Sequence, residues 1–323
     1  MVAVSDIVTE ALQNGNPVVA LETAVLTSGL PKKPWQDSFG ECPPWIDASL
    51  PINRTLAHAM TARVLANNSV PAWIGVIDGE LRIGLSTDEV DTLCSDLNAG
   101  KVSLATIAQS LQGTHSAGTT VAATLLACTL SSPEHPIRVF ATGGIGGVHQ
   151  NWSTRLDVSA DLVALATTPT CVVASGVKSI LDLHATVEAL EASGVPTLGL
   201  QCDNFPPFIE QPTENDPHVF RVESPHHIAT ICKSHWISLG LKSAVLATVP
   251  VPEHVAIKRG SLEETLQKAE LAWLETNQPS DTRTPYLLNE LAIMTNGQSL
   301  LANLELLCNN ASVASEIAVA LAT

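Results

Sequence analysis

The chain has 323 residues, 45% of them hydrophobic and 15% charged, enough to bury one sizeable core as one large domain or two small ones. Its formal net charge is −16 and its sequence pI is about 4.9. Such a surface repels nucleic acid and anionic lipid and argues against both as partners. The N-terminus has no basic segment leading into an apolar run, and no stretch of about 18 uninterrupted apolar residues occurs. Neither a secretory leader nor a membrane span is expected. The expected compartment is the cytoplasm, with an organellar address left open.

Pro17–Leu21 is the first continuous apolar run and reads as a buried strand ending at Glu22. Residues 32–50 alternate prolines, two tryptophans and polar residues without period, and read as a loop. Asn53–Ala66 has helical spacing. Pro71–Asp78 reads as a strand followed by a Gly79-Glu80 turn. Ser86–Leu97 is a helix whose first turn carries Asp88 and Glu89, suited to the positive helix end. A helix over Thr119–Thr129 precedes a strand over Ile137–Ala141 that runs into a glycine turn. Strands over Thr170–Ala174, Pro196–Leu200 and Ala244–Val249 then alternate with helices over Ser179–Ser193 and Pro225–Leu239. Residues 275–285 read as a polar connector, and Thr284–Ala322 as helical. Apolar strands separated by helices predict an α/β fold with a mainly parallel sheet covered on both faces. No internal repeat and no clear boundary divide the chain, so one domain, 1–323, is expected.

Seven cysteines lie scattered without any C-x-x-C pair and read as small buried hydrophobes in a reducing compartment. The N-x-S/T matches at Asn53, Asn67, Asn151 and Asn310 are taken as chance. His218, His226 and His227 lack ligand spacing and read as surface residues.

Chemistry concentrates between Val139 and Asp182. Thr142-Gly143-Gly144-Ile145-Gly146-Gly147 follows a strand and could present backbone N–H groups to an anion, or form a tight flexible turn. It is not a dinucleotide fingerprint, since His149 stands where the third glycine belongs. Asp157 and Asp161 flank Ser159. A carboxylate there suits a hydrated divalent cation such as Mg or Mn, and Asp157 or Ser159 equally suits a helix N-cap. Lys178 follows Ser175 and Gly176 in apolar surroundings. Burial disfavours an ammonium ion, which is how proteins prepare a lysine for covalent carbonyl chemistry. The alternative is a surface lysine opening a helix, where its charge opposes the macrodipole. Lys101, after Asn98-Ala99-Gly100, is similarly isolated. Glu22 ends an apolar strand, where open α/β sheets place their sites. It suits a general acid or a plain helix cap.

In order along the chain stand A-L-E-T with S-G-L-P, V-P-A-W-I-G-V-I-D-G with I-G-L-S, K-V-S, G-T-T-V-A-A-T and V-F-A-T-G-G-I-G-G-V-H. D-V-S-A-D, K-S-I-L-D, T-P-Y-L-L, S-L-L-A-N-L-E-L and N-N-A-S-V-A-S-E-I-A follow. On these motifs, from about residue 5 to residue 320, the chain resembles the pseudouridine-5′-phosphate glycosidases, a family that includes the indigoidine-synthesis protein A. The resemblance implies a three-layer α/β/α sandwich with a mixed sheet, and a homotrimer. It implies reversible cleavage of the C–C glycosidic bond of pseudouridine 5′-phosphate to uracil and ribose 5-phosphate, through a lysine imine at C1′. Lys178 matches the imine lysine and Glu22 the proton donor. Asp157 matches the aspartate that holds Mn²⁺, mostly through waters. Lys101, Val121, Ser159 and Asp161 match substrate contacts, Thr142 a neighbour of the phosphate, and Asn303 an asparagine facing the base.

Two positions depart from the family pattern. Its S-H-G is Thr27-Ser28-Gly29 here, and the Arg-Arg-Asp after K-V-S is Leu104-Ala105-Thr106. Residues 32–50 read as an insertion, either a lid or a gene-model error. A related lysine enzyme acting on another phosphosugar or C-nucleoside, and a weakly active scaffold, are the alternative functions.

Overall fold

The structure, a computed structural model, describes residues 1–323 except 151, 153–155 and 277–282. The Asn151 match and the middle of the 275–285 stretch lie outside the described residues. In chain order the strands are β1 (Val2–Val4), β2 (Val18–Glu22), β3 (Val70–Ile77), β4 (Glu80–Ile83), β5 (Gly100–Val102), β6 (Ala117–Thr119), β7 (Val139–Ala141), β8 (Val148–His149), β9 (Cys171–Ala174), β10 (Leu181–Asp182), β11 (Thr197–Leu200), β12 (Phe220–Val222) and β13 (Val245–Thr248). The main sheet runs β1-β4-β3-β2-β7-β9-β13-β11-β12, with β6 also paired to β3 and β5 to β6. From β3 through β12 every neighbour in that path is parallel, whereas β4 and β6 pair antiparallel with β3.

The helices are α1 (Asp6–Gln13), α2 (Ile52–Ala66), α3 (Thr87–Ser95), α4 (Ile107–Ser110), α5 (Val121–Leu130), α6 (Ala160–Thr167), α7 (Leu183–Ala192), α8 (Pro225–Lys233), α9 (Glu263–Glu275), α10 (Arg283–Met294) and α11 (Gln298–Ala322). Strand β2 shows why they form two layers. All five of its residues are buried. Because side chains alternate, Val19 and Leu21 enter one core with α2, α3, α8 and α11, while Val18 and Ala20 enter the other with α1, α5, α6 and α7. The result is the three-layer α/β/α sandwich, mainly parallel and mixed at one end.

All six expected strands form, within two residues of their expected ends. The missed ones are short. β5 and β6 have three residues each, too few for a period to register, and β4 occupies what reads as a turn at Gly79-Glu80. The expected terminal helix is two helices. Asn296 and Gly297 take left-handed φ of 48° and 81°, and the Gly297 N–H closes α10 onto the Ala292 carbonyl at 2.8 Å. Of the described helices, α11 alone is long and apolar enough to cross a membrane, yet 61% of its most apolar window is buried inside the fold. Six of the seven cysteines are buried and none is paired. His218, His226 and His227 are exposed.

Residues 32–50 hold only one 3₁₀ turn, Asp37–Phe39. They are nevertheless packed down: Ile46 is 6% exposed, and Trp35, Phe39 and Trp45 lie against the core. Trp45 Nε1 donates to Glu305 Oε1 at 2.7 Å, and Lys32 Nζ to the Asp96 carbonyl at 2.6 Å. Removing the segment would uncover this apolar surface.

Candidate active site

Strands β2, β7 and β9 are parallel and in register, Leu21 beside Ala141 and Ala141 beside Val173. Their C-terminal ends therefore deliver Glu22, the Thr142 turn and the Lys178 loop to one edge of the sheet. A cavity of about 440 Å³ opens there. Glu22, Lys101, Val121, Asp157, Ser159, Asp161, Lys178 and Asn303 all line it. Thr142 stands behind the wall, and its hydroxyl donates to Glu22 Oε1.

Glu22 is 6% exposed. Burial holds its carboxyl above the ordinary carboxylate range. The nearby Lys178 charge and the Thr142 hydroxyl oppose that shift, and Asp161 adds to it. Asn310, fully buried on α11, donates Nδ2 to the Thr142 carbonyl at 2.9 Å and to Ser175 Oγ at 3.1 Å. It ties together the two loops that carry Thr142 and Lys178. Asn303 lies seven residues earlier, two turns away on the same face of α11.

Lys178 does not open a helix. It sits half-buried in a turn after β9. The next residues form β10, antiparallel to β8, before Asp182 caps α7 by accepting the Ala185 N–H. Two neighbours on this loop are conformationally unusual. Gly176 has φ of 85°, and a Cβ there would fall 1.8 Å from the Pro206 carbonyl oxygen. Phe208, which lines the cavity, has φ of 68° and donates its N–H to the Ser175 carbonyl at 2.9 Å. A bulky residue at positive φ is a strain that functional sites tolerate. Gly176→Ala is expected to cost about 3 kcal/mol or more, through backbone strain plus the clash, and to lower turnover by shifting Lys178. Thermal melting and a rate measurement check both; an unshifted melting temperature would mean that this backbone is not needed.

The glycine turn differs from its expected role. None of Gly143, Gly144, Gly146 and Gly147 has a positive φ, so the alternating geometry of an anion nest is not formed. The Gly146 N–H instead donates to Asp161 Oδ2 at 2.8 Å, and the Ile145 N–H to the Gly176 carbonyl at 3.0 Å. A Cβ on Gly146 would meet Ser159 Oγ at 2.3 Å. Glycine is required there because the protein's own side chains press against the turn. Asp161 Oδ1 also accepts the Ala122 N–H at 3.0 Å, so its carboxylate clamps the turn to the start of α5. Ser159 is both N-cap of α6 and cavity wall.

Further basic and hydroxyl side chains share the cavity wall. Lys101 on β5 stands with Ser103, Thr106 and Thr120 around the N-terminus of α5. Thr120 caps that helix without a side-chain bond, and its buried Oγ1 has no hydrogen-bond partner among the described residues. The departures Ser28 and Thr106 both face this cavity. A pocket of about 110 Å³ shares Ser28, Phe208, Leu288 and Asn303 with it.

Asp157 meets a cation that the sequence reading missed. Arg283, at the start of α10, places Nη1 2.9 Å from Asp157 Oδ2, while His149 Nε2 lies 3.9 Å from Oδ1. Arg283 gave no signal because its partner is 126 residues away. His149, which also lines the cavity, could have been singled out at the end of V-F-A-T-G-G-I-G-G-V-H. No three His, Cys, Asp or Glu side chains cluster to hold a metal among the described residues. One partly exposed carboxylate, with Oδ2 bonded to Arg283 and Oδ1 3.9 Å from His149, fits a hydrated divalent cation whose remaining ligands are water.

Residues 46–320 match the family model described as Indigoidine synthase A like protein. A curated pseudouridine-5′-phosphate glycosidase of Petrotoga mobilis is 36% identical over 310 residues, covering 96% of this chain and 93% of that protein. The crystal structure of an indigoidine synthase A-like protein from Thermotoga maritima superposes with a TM-score of 0.83 at 31% identity, covering 100% of this chain and 97% of the other. A prealnumycin C-glycosynthase, solved with ribulose 5-phosphate, gives the same TM-score, identity and coverage. Alike in sequence over nearly its whole length and in fold throughout, the chain is an enzyme that belongs to the indigoidine synthase A-like family.

Proposed function

We propose that this enzyme reversibly cleaves the C–C glycosidic bond of pseudouridine 5′-phosphate, giving uracil and ribose 5-phosphate through an imine on Lys178. The observation that carries the reading is that a lysine and a buried acid, Lys178 and Glu22, line the same cavity. The names of the glycosidase relatives support it, and so does the phosphopentose held by the C-glycosynthase of the same fold.

A C–C bond offers no leaving oxygen for the paired-carboxylate mechanism of ordinary glycosidases. An amine supplies the alternative. The neutral Lys178 Nζ bonds to C1′ as the C1′–O4′ bond breaks, and the proton that the new ammonium loses goes to O4′. The C1′–C5 bond then breaks, with its electron pair going to uracil C5. The nitrogen lone pair forms the imine, and Glu22 delivers the proton to C5. Water hydrolyses the imine, releasing ribose 5-phosphate and the free amine. The 5′-phosphate is assigned to Lys101, Ser103 and Thr106, beside the N-terminus of α5, whose Ala122 N–H is already taken by Asp161. The base is assigned to the pocket of Asn303, Phe208 and Leu288. Asp157 would hold one Mn²⁺, which supplies positive charge beside the reacting sugar when bound. On the same reading the protein works in the cytoplasm as a homotrimer.

Release of uracil from pseudouridine 5′-phosphate, followed by chromatography with and without Mn²⁺, tests the assignment. Uracil and ribose 5-phosphate in equal amounts are expected. A protein inert on this substrate but active on another C-nucleoside phosphate would leave the lysine chemistry and overturn the substrate.

A further inference from the structure

We infer that Arg283 is a built-in competitor for the cation site, a tethered guanidinium that occupies Asp157 and yields it when a divalent cation binds. The inference rests on the proposed role of Asp157 and adds a residue that reading does not contain.

Arg283 is held mainly from its other side. Nε donates to Glu270 Oε2 at 3.2 Å, and Nη2 donates to Glu270 Oε1, a two-pronged pair with α9. The guanidinium carbon lies 5.5 Å from the centre of the Trp273 ring. Its side chain is 8% exposed, against 29% for Asp157 and 30% for Glu270. Toward Asp157 it makes one bond, from Nη1 to Oδ2. A bidentate, stacked guanidinium is preorganised, so losing that single bond leaves Arg283 anchored on α9. Asp157 can therefore change partners without unpacking the arginine. With no cation bound, Arg283 supplies the counter-charge and ties α10, which lends Thr284, Pro285 and Leu288 to the cavity wall, to the Asp157–Asp161 segment. A cation arriving at Asp157 meets a guanidinium at contact distance, and the two positive charges compete for one carboxylate.

The test is direct Mn²⁺ binding, read by the electron paramagnetic resonance of the free ion, on chelator-stripped protein without substrate. Arg283→Gln is expected to tighten Mn²⁺ binding about tenfold or more, the size expected when a contacting cation is removed from a partly exposed carboxylate. Glu270→Gln leaves Arg283 with Asp157 alone and is expected to weaken binding. Lys268→Gln, which removes an exposed charge elsewhere on α9, should change nothing. Asp157→Asn should abolish binding in the wild-type and Arg283→Gln backgrounds. Binding by Arg283→Gln that is unchanged or weaker, with Asp157→Asn still abolishing it, would overturn the competition and leave Asp157 as the metal residue. Failure of every protein to bind Mn²⁺ would overturn both. Should Arg283→Gln melt early, Arg283→Met, which keeps an apolar stem beside Trp273 and removes the charge, takes its place with the same expected tightening, and unchanged or weaker binding by it overturns the competition.

Discussion

Lys178→Ala is expected to lower uracil release by at least about 10⁴-fold while leaving the melting temperature within a few degrees of wild type. The size follows from the role: a covalent nucleophile has no substitute, and its removal collapses the whole route. Lys101, the other lysine of the cavity, sits on β5 and not on the loop after β9, and is not expected to take over. The fold should persist because Lys178 is half-buried in a turn whose shape is set by backbone bonds, from its own N–H to the Ile145 carbonyl and from the Leu181 N–H to its carbonyl. A folded Lys178→Ala protein that keeps a tenth of the wild-type rate would show that the imine forms elsewhere or not at all.

Glu22→Gln should separate activity from stability. Loss of the proton donor is expected to cost about 10²- to 10⁴-fold in rate. Stability should move the other way, because burial raises the pKa of Glu22 in the folded state above its unfolded value near 4.3. The favourable contribution of such a group is fully present below the unfolded value and is lost as pH rises through the folded one. At low pH the two proteins should melt alike. Above the raised pKa the neutral glutamine, which still accepts from Thr142, should melt higher than wild type. The wild-type rate should fall through the same pH window, since the acid must carry its proton. A variant less stable than wild type at pH 8 would contradict burial as the dominant cause of the shift.

What the sequence made legible follows the length scale of each feature. Continuous apolar runs such as Pro17–Leu21 and Thr170–Ala174 announced the central strands because burial on both faces demands them. Strands of two or three residues carry no period. The pairing of β10 with β8, which keeps Lys178 out of a helix, was therefore invisible, and the expected helix began four residues early. Resemblance brought eight named residues to the one cavity that they line. It did not show what each touches. The glycine turn suggested an anion nest by composition, whereas its backbone serves Asp161, whose two oxygens are taken by Gly146 and Ala122. Arg283 stood in a stretch read as a connector, and only the fold brings it to Asp157.

The central claim, that Lys178 carries the sugar as an imine, is tested most directly by reduction with borohydride in the presence of ribose 5-phosphate, followed by digestion and peptide mass mapping. The account predicts a reduced pentose phosphate adduct on the peptide that contains Lys178, absent when the sugar is omitted and absent from Lys178→Ala. An adduct confined to Lys101 or another lysine, or no adduct from an enzyme that releases uracil, would contradict it.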